Sequence, residues 1–204
     1  MFKKLEHPVL THKLNRIREV STPRHEVYNL VTDISSFMVY EVLRSAGMYS
    51  REIELWSGRF EFEFIDQREY VFVPILRAGI PMLEGALNVL PDASSGFIAQ
   101  SRDELTLKSE VFYSKIPPLE GKVSVILDPM LATGGTLLNA LREVLPSKPV
   151  RTISLHLVCA PEGVERVSEE FPKHDIYTVS LDEGLNDRGF ILPGLGDMGD
   201  RLFS

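Results

Sequence analysis

The stretch from Val123 to Leu145, VSVILDPMLATGGTLLNALREVL, holds the residues best suited to chemistry. VSVIL reads as a buried strand, Asp128 stands at its carboxyl end, a loop of small residues follows, and helical periodicity begins near Gly135 or Thr136. Ligands of open α/β sheets collect at that end of the strands. Thr133, Gly134, Gly135 and Thr136 bring backbone amides to a helix amino terminus together with two hydroxyls, which suits a phosphate monoester. Asp128 stands where it can accept hydrogen bonds from ribose hydroxyls or hold a magnesium ion. The plain alternative is a strand-to-helix turn whose acid and threonines merely cap it. No Lys follows the glycines and the spacing is not GxGxxG, which argues against ATPase and dehydrogenase readings.

Two further segments have the composition of ligand loops. VPILRAGIPML, Val73 to Leu83, is a strand, then Arg77-Ala78-Gly79, then a helix; its small residues let backbone approach a ligand, and Arg77 can meet pyrophosphate oxygens. QSRDELTLKSEVFYSKIP, Gln100 to Pro117, is polar and reads as a mobile flap. From Asp182 the last 23 residues hold five of the 14 glycines. They also hold Phe190, Ile191, Leu192, Leu195, Met198, Leu202 and Phe203, too many apolar side chains for a solvated tail. Asp197 lies there in a stretch without helical or strand periodicity, and is expected to be neither a core nor a capping residue.

The elements that must position these loops form an α/β pattern. From residue 70 the apolar runs YVFVPIL, GFIAQ, VSVIL, RTISLHLVCA and IYTVSL alternate with the helical stretches IPMLEGALNVL, TLLNALREVL and EGVERVSEEF, which implies a mostly parallel sheet with crossover helices. Strands buried on both faces read as such continuous runs. Upstream, Thr22 is the expected N-cap of a long helix with Pro23 in its first turn, ending near Gly47. The alternation over Ile53 to Phe64 predicts a hairpin arm turning at Ser57-Gly58.

At 204 residues and 44% hydrophobic content the chain can build a sizeable core. One cysteine, Cys159, excludes an internal disulfide and thiolate metal clusters, and fits a reducing compartment. A net charge of −7 argues against nucleic acid as a partner, and no signal-peptide stretch or apolar run of membrane-spanning length is present. A cytoplasmic protein is expected.

The string DPMLATGGT resembles the phosphoribosyl diphosphate loop of type I phosphoribosyltransferases, and its Asp-Pro pair is similar to the uracil-specific branch. LNDRGFILPGLGDMGDR resembles the uracil-binding region of uracil phosphoribosyltransferases. HPVLTHKLNRIRE and LVCAPEG extend the likeness over nearly the whole chain. The resemblance implies a type I phosphoribosyltransferase fold in a single domain: helices and a β-arm over about residues 1–68, an α/β core over 69–181 and a base-binding hood over 182–204. It implies transfer of the phosphoribosyl group to uracil, giving UMP and diphosphate, with Mg2+. It places Asp128, Pro129, Met130, Leu131, Ala132, Thr133, Gly134, Gly135 and Thr136 on phosphoribosyl diphosphate. Arg77 and the flap residue Arg102 would contact its diphosphate, with Lys108 or Lys115 able to share the role of Arg102.

By the same resemblance, main chain at Ile191 and at Gly196, Asp197 and Met198 faces uracil, Met198 standing at the pocket rim where the family usually has Ala. Asp197 lies near the reaction centre, holding metal-bound water or easing loss of the N1 proton. A homodimer or homotetramer and a GTP effector are further implications. Two other readings remain open at this stage. A regulatory nucleotide- and RNA-binding protein on the same fold predicts a basic patch and no uracil-like tail. An enzyme for orotate or a purine predicts a different base loop, and orotate an added basic group there, where only Arg188 and Arg201 stand.

Overall fold

The computed structural model describes residues 1–102 and 109–204. In chain order the strands and helices are β1 (Phe2–Lys4), α1 (Pro8–Arg18), α2 (Arg24–Val42), β2 (Tyr49–Leu55), β3 (Gly58–Phe64), β4 (Tyr70–Leu76), α3 (Ile80–Val89), β5 (Ser94–Ser95), β6 (Phe97–Arg102), β7 (Ser109–Lys115), β8 (Val123–Leu127), β9 (Met130–Leu131), α4 (Gly135–Val144), β10 (Arg151–Cys159), α5 (Pro161–Glu170), β11 (Asp175–Leu181), β12 (Gly184–Leu185), β13 (Ile191–Leu192) and α6 (Met198–Phe203).

The main sheet runs β1-β11-β10-β8-β4-β6-β7, with β5 beside β4 and β9 beside β10. Its pairs are parallel except β6 with β7. Alternate residues of β4 feed two cores: Tyr70 and Phe72 pack toward α1, α2 and α3, while Val71, Val73 and Ile75 pack toward α4 and α5. This double burial is why the strands read as unbroken apolar runs, and why an α/β sandwich with helices on both faces is the observed fold. On β10 the side toward α1 and α2 carries Ile153, Leu155 and Leu157, whereas the alternate positions Thr152, Ser154 and His156 are polar and buried.

Three sequence expectations need correction, and one strand went unforeseen. α2 is capped by Pro23 rather than Thr22; the Thr22 hydroxyl instead donates to the Arg16 carbonyl at 2.6 Å, fastening the α1–α2 turn. The helix stops at Val42, with a 3-10 turn over Leu43–Ser45, short of Gly47. The hairpin turns at Trp56-Ser57, because Leu55 pairs with Gly58. Strand β1 was not anticipated: three residues give no periodicity, and its partner β11 lies at the other end of the chain, Phe2 opposite Ile176.

Candidate active site

Strands β4 and β8 are parallel neighbours in which Val73 and Pro74 stand opposite Ile126 and Leu127, so the loops after both open at one edge of the sheet. A cleft of about 380 Å³ lies there. Its walls include Asp128, Pro129, Met130, Leu131, Ala132, Thr133, Gly134 and Thr136 from the loop after β8, and Arg77 and Ala78 from the loop after β4. Gln100 and Ser101 of β6, with Asp197 and Gly199 from the carboxyl-terminal segment, also line it. Gly135 lies just behind as the first residue of α4.

Close approach decides the loop sequences. Gly134 holds φ at +80°, a left-handed conformation open to glycine at little cost, and ends the loop so that α4 can begin with its amino end at the cleft. The amino end of such a helix attracts an anion through its dipole and first-turn amides. The loop is braced from outside: the Arg166 guanidinium donates to the Thr133 carbonyl at 3.0 Å and the Gln100 side chain donates to the Thr136 carbonyl at 3.0 Å. A Cβ on Gly79 would stand 2.5 Å from the Leu127 carbonyl oxygen, so only glycine lets the β4 loop cross beneath the end of β8. The Leu76–Arg77 peptide is cis. Arg77 is exposed, with its guanidinium carbon 5.7 Å from the ring centre of Phe203. Phe203 in turn meets the Tyr28 ring edge-on at 6.4 Å.

Asp128 is half-buried and lines the cleft. Poor hydration there pushes its carboxyl up to about 7, against the opposing pull of a hydrogen bond from the Met130 amide.

The carboxyl-terminal segment reaches the cleft because two arginines hold it. Arg18, on the last turn of α1, donates to both carboxylate oxygens of Asp182, at 2.8 and 2.6 Å, and to the Gly194 carbonyl at 2.7 Å. Asp182 also accepts from the Gly194 amide and the Ser180 hydroxyl. Burial would raise the Asp182 carboxyl, but these hydrogen bonds outweigh it and hold the group below the usual carboxylate range. In the other direction Arg201 of α6 donates to the carbonyls of Ile17, Glu19 and Leu195, satisfying the end of α1. None of Arg18, Asp182 and Arg201 was predicted as a positioning group. A last-turn arginine and a loop arginine look like solvated charges, and nothing local links residues 164 positions apart.

Of the residues expected at a base pocket, Asp197 lines the cleft, whereas Ile191, Gly196 and Met198 do not. Met198 is fully buried in the core beside Leu195 and Leu202, so its side chain is not a rim residue. Asp197 is the N-cap of α6, its carboxylate accepting from the Asp200 amide at 3.1 Å. The expectation that it caps nothing fails because a six-residue helix is too short to show periodicity. Arg102 ends β6 beside Ser101; its side chain, and all of Lys108, fall outside the described residues. Lys115 pairs opposite Phe97 at the far end of the hairpin and is not in the cleft wall. Among the described residues no three His, Cys, Asp or Glu side chains cluster to hold a metal.

A family model described as uracil phosphoribosyltransferase matches residues 4–204. A curated uracil phosphoribosyltransferase from Aquifex aeolicus is 46% identical, covering 100% of this chain and 98% of the relative. Another from Dictyoglomus turgidum is 43% identical over 98% of this chain and 97% of its own length. The solved structure of the AQ2163 protein from Aquifex aeolicus superposes with a TM-score of 0.98 at 46% identity, over 100% of this chain and 98% of that one. A hypoxanthine-guanine phosphoribosyltransferase from Bacillus anthracis reaches a TM-score of 0.51 at 14% identity, over 76% and 79% of the two chains, a likeness of fold alone.

Two outcomes follow from these geometries. Replacing Arg18 by Met strands a buried carboxylate and should cost roughly 3 kcal/mol near neutral pH. Because the folded pKa of Asp182 is depressed, the clasp stabilises fully above the unfolded carboxylate pKa and fades as pH falls through the folded value. The variant's deficit in chemical denaturation should therefore persist from pH 8 down to about pH 4 and shrink only below it, and a deficit as large at pH 2.5 as at pH 8 would contradict the assignment. Asp128 has the opposite sign: its folded pKa is raised, so its contribution is whole below the ordinary 3.8 and lost as pH rises through about 7. In EDTA, Asp128→Asn should melt higher than the parent at pH 8 and gain little at pH 4; a gain independent of pH would mean that Asp128 is well solvated.

Proposed function

The chain belongs to the uracil phosphoribosyltransferase family, a family of pentosyltransferases, and we propose that the cleft at the carboxyl edge of β4 and β8 is where it joins uracil N1 to ribose C1 of phosphoribosyl diphosphate. The observation that carries this reading is the convergence on one cleft of a phosphate-type loop, Arg77 and the Asp197 segment, three pieces far apart in sequence.

In that reading the amino end of α4, with Thr133 to Thr136, takes the 5′-phosphate, and Asp128 accepts from the ribose hydroxyls. Arg77 and Arg102 meet the diphosphate. As the N1–C1 bond forms and the bond from C1 to the diphosphate oxygen breaks, negative charge grows on the leaving group and positive charge on the ribose ring. Arg77 is then worth more in the transition state than in the ground state. The N1 proton must leave, and Asp197 is the carboxylate at hand on the base side.

The donor set fits a magnesium ion held mainly through the substrate and water. One hard carboxylate, Asp128, sits in the cleft floor with its charge unbalanced by any described cation in contact with it. When bound, such an ion neutralises charge on the diphosphate.

Main chain of the Ile191 to Met198 segment is the proposed reader of uracil O2, N3 and O4. Of that segment Asp197 lines the cleft, and a backbone pinned by Asp182 and Arg201 can keep a fixed donor and acceptor order. Cytosine mispairs with that order.

The β2–β3 arm projects Trp56, which is 99% exposed, with Phe60 and Phe62 also exposed, and this supports a homodimer or homotetramer in which the arm is covered. A cytoplasmic location fits Cys159, whose buried thiol is pushed up to about 12 and is unreactive. Among the described residues no helix is long and apolar enough to cross a membrane.

The direct test is to incubate the protein with phosphoribosyl diphosphate and either uracil or cytosine. UMP should form, excess EDTA should stop it, and kcat/KM should favour uracil by ~100-fold or more, the size expected from two mispaired buried groups. Absence of UMP, or equal use of both bases, would refute the reading.

Asp197→Asn isolates the carboxylate charge. Asn is as good an N-cap as Asp, so the melting temperature should barely change while kcat falls on the order of 10²-fold. Near-normal kcat at an unchanged melting temperature would assign Asp197 to capping alone.

A further inference from the structure

Behind the cleft floor runs a chain of buried polar groups that the reaction above does not use. His156 on β10 places Nδ1 2.7 Å from the Asp128 main-chain carbonyl oxygen and Nε2 2.9 Å from the Ser154 hydroxyl. His174, just before β11, places Nε2 2.9 Å from the same hydroxyl and Nδ1 3.0 Å from the Thr152 hydroxyl. All four side chains are buried, on a sheet face that also carries the buried Ser124 and Thr178.

The proton count leaves one arrangement for neutral rings. A carbonyl oxygen only accepts, so His156 carries its proton on Nδ1 and its Nε2 must accept from Ser154. Ser154 has one proton and has given it to His156, so His174 must donate from Nε2 and accept from Thr152 at Nδ1. Burial holds both imidazoles neutral, His156 down to about 3 and His174 down to about 4. Every group in the chain thus points the same way, toward the Asp128 carbonyl.

That carbonyl needs a partner because the sheet ladder misses it. The Leu157 amide, its natural donor from the neighbouring strand, bonds the Pro129 carbonyl instead, at 2.9 Å. We propose that His156 is a positioning residue for the transfer reaction: by holding the Asp128 carbonyl it fixes the Asp128–Pro129 peptide and so aims the Asp128 carboxylate into the cleft. Ser154 and His174 set the tautomer that lets it do so. The inference rests on the proposed role of Asp128 toward ribose, and its test separates the two.

His156→Leu removes the donor, and His156→Asn returns an N–H near the Nδ1 position while losing the Ser154 contact. Both are assayed at a temperature at which circular dichroism shows them folded. His156→Leu should lower kcat about 10-fold or more with little change in KM for uracil, and His156→Asn should recover most of that loss although both melt earlier. In the parent, nitrogen-15 NMR should find His156 protonated on Nδ1 and His174 on Nε2. Equal kcat in the two variants and the parent, equal loss in both variants, or the reverse tautomers would overturn the inference. Asp128→Asn is measured alongside. If it keeps parental kcat, the role of Asp128 itself falls; if it loses kcat while His156→Leu does not, only the His156 inference falls.

Discussion

The ladder between β8 and β10, regular from Val123 to Leu127, is interrupted at Asp128-Pro129, where the Leu157 and Val158 amides both bond the Pro129 carbonyl, and resumes with Met130 opposite Val158. The break keeps the chain from continuing as strand into the space where a ligand must sit. It turns Asp128 into the cleft and takes its carbonyl out of main-chain pairing. It also lets residues 131–134 wrap back to start α4 with its amino end at the same opening. Gly79 beneath Leu127, Arg166 on Thr133 and His156 behind Asp128 all serve this one interruption of the sheet.

The sheet edge supplies only one side of the cleft. The other side is built from a segment with little regular structure of its own, two short strands and the six-residue α6, which burial of Leu195, Met198 and Leu202 alone would not orient. Orientation comes from reciprocal arginines: Arg18 reaches from α1 to Asp182 and Gly194, and Arg201 reaches back to the end of α1. Because each arginine satisfies main-chain carbonyls as well as charge, replacing either costs geometry in addition to an ion pair. The segment that brings Asp197 to the cleft is therefore tied to the first helix of the chain, and the whole domain must be closed before the site is complete.

How much of this the sequence revealed follows from how local each signal is. Strands β4, β8, β10 and β11 are buried on both faces and stand out as apolar runs. The loop after β8 is legible because an acid, small residues and a helix start fall within nine residues. The uracil-like tail was found by likeness to a family, since its glycines and scattered apolar residues carry no period. Asp197 as a cap, β1 as an edge strand and the turn at Trp56-Ser57 were missed or misplaced, each resting on one to three residues. Arg18, Asp182 and the Ser154–His156–His174 chain were invisible for a different reason: their meaning lies in contacts between segments that only the fold brings together.

The central claim is that one interrupted sheet edge, closed by the tail, binds the nucleotide product with its phosphate on the first turn of α4. Titrating UMP into isotope-labelled protein and following backbone amide resonances tests it most directly. The largest shifts should fall on Thr133, Gly134, Gly135 and Thr136, with a second group at Asp197 to Gly199. Saturable shifts elsewhere, with Thr133 to Thr136 unmoved, would contradict it.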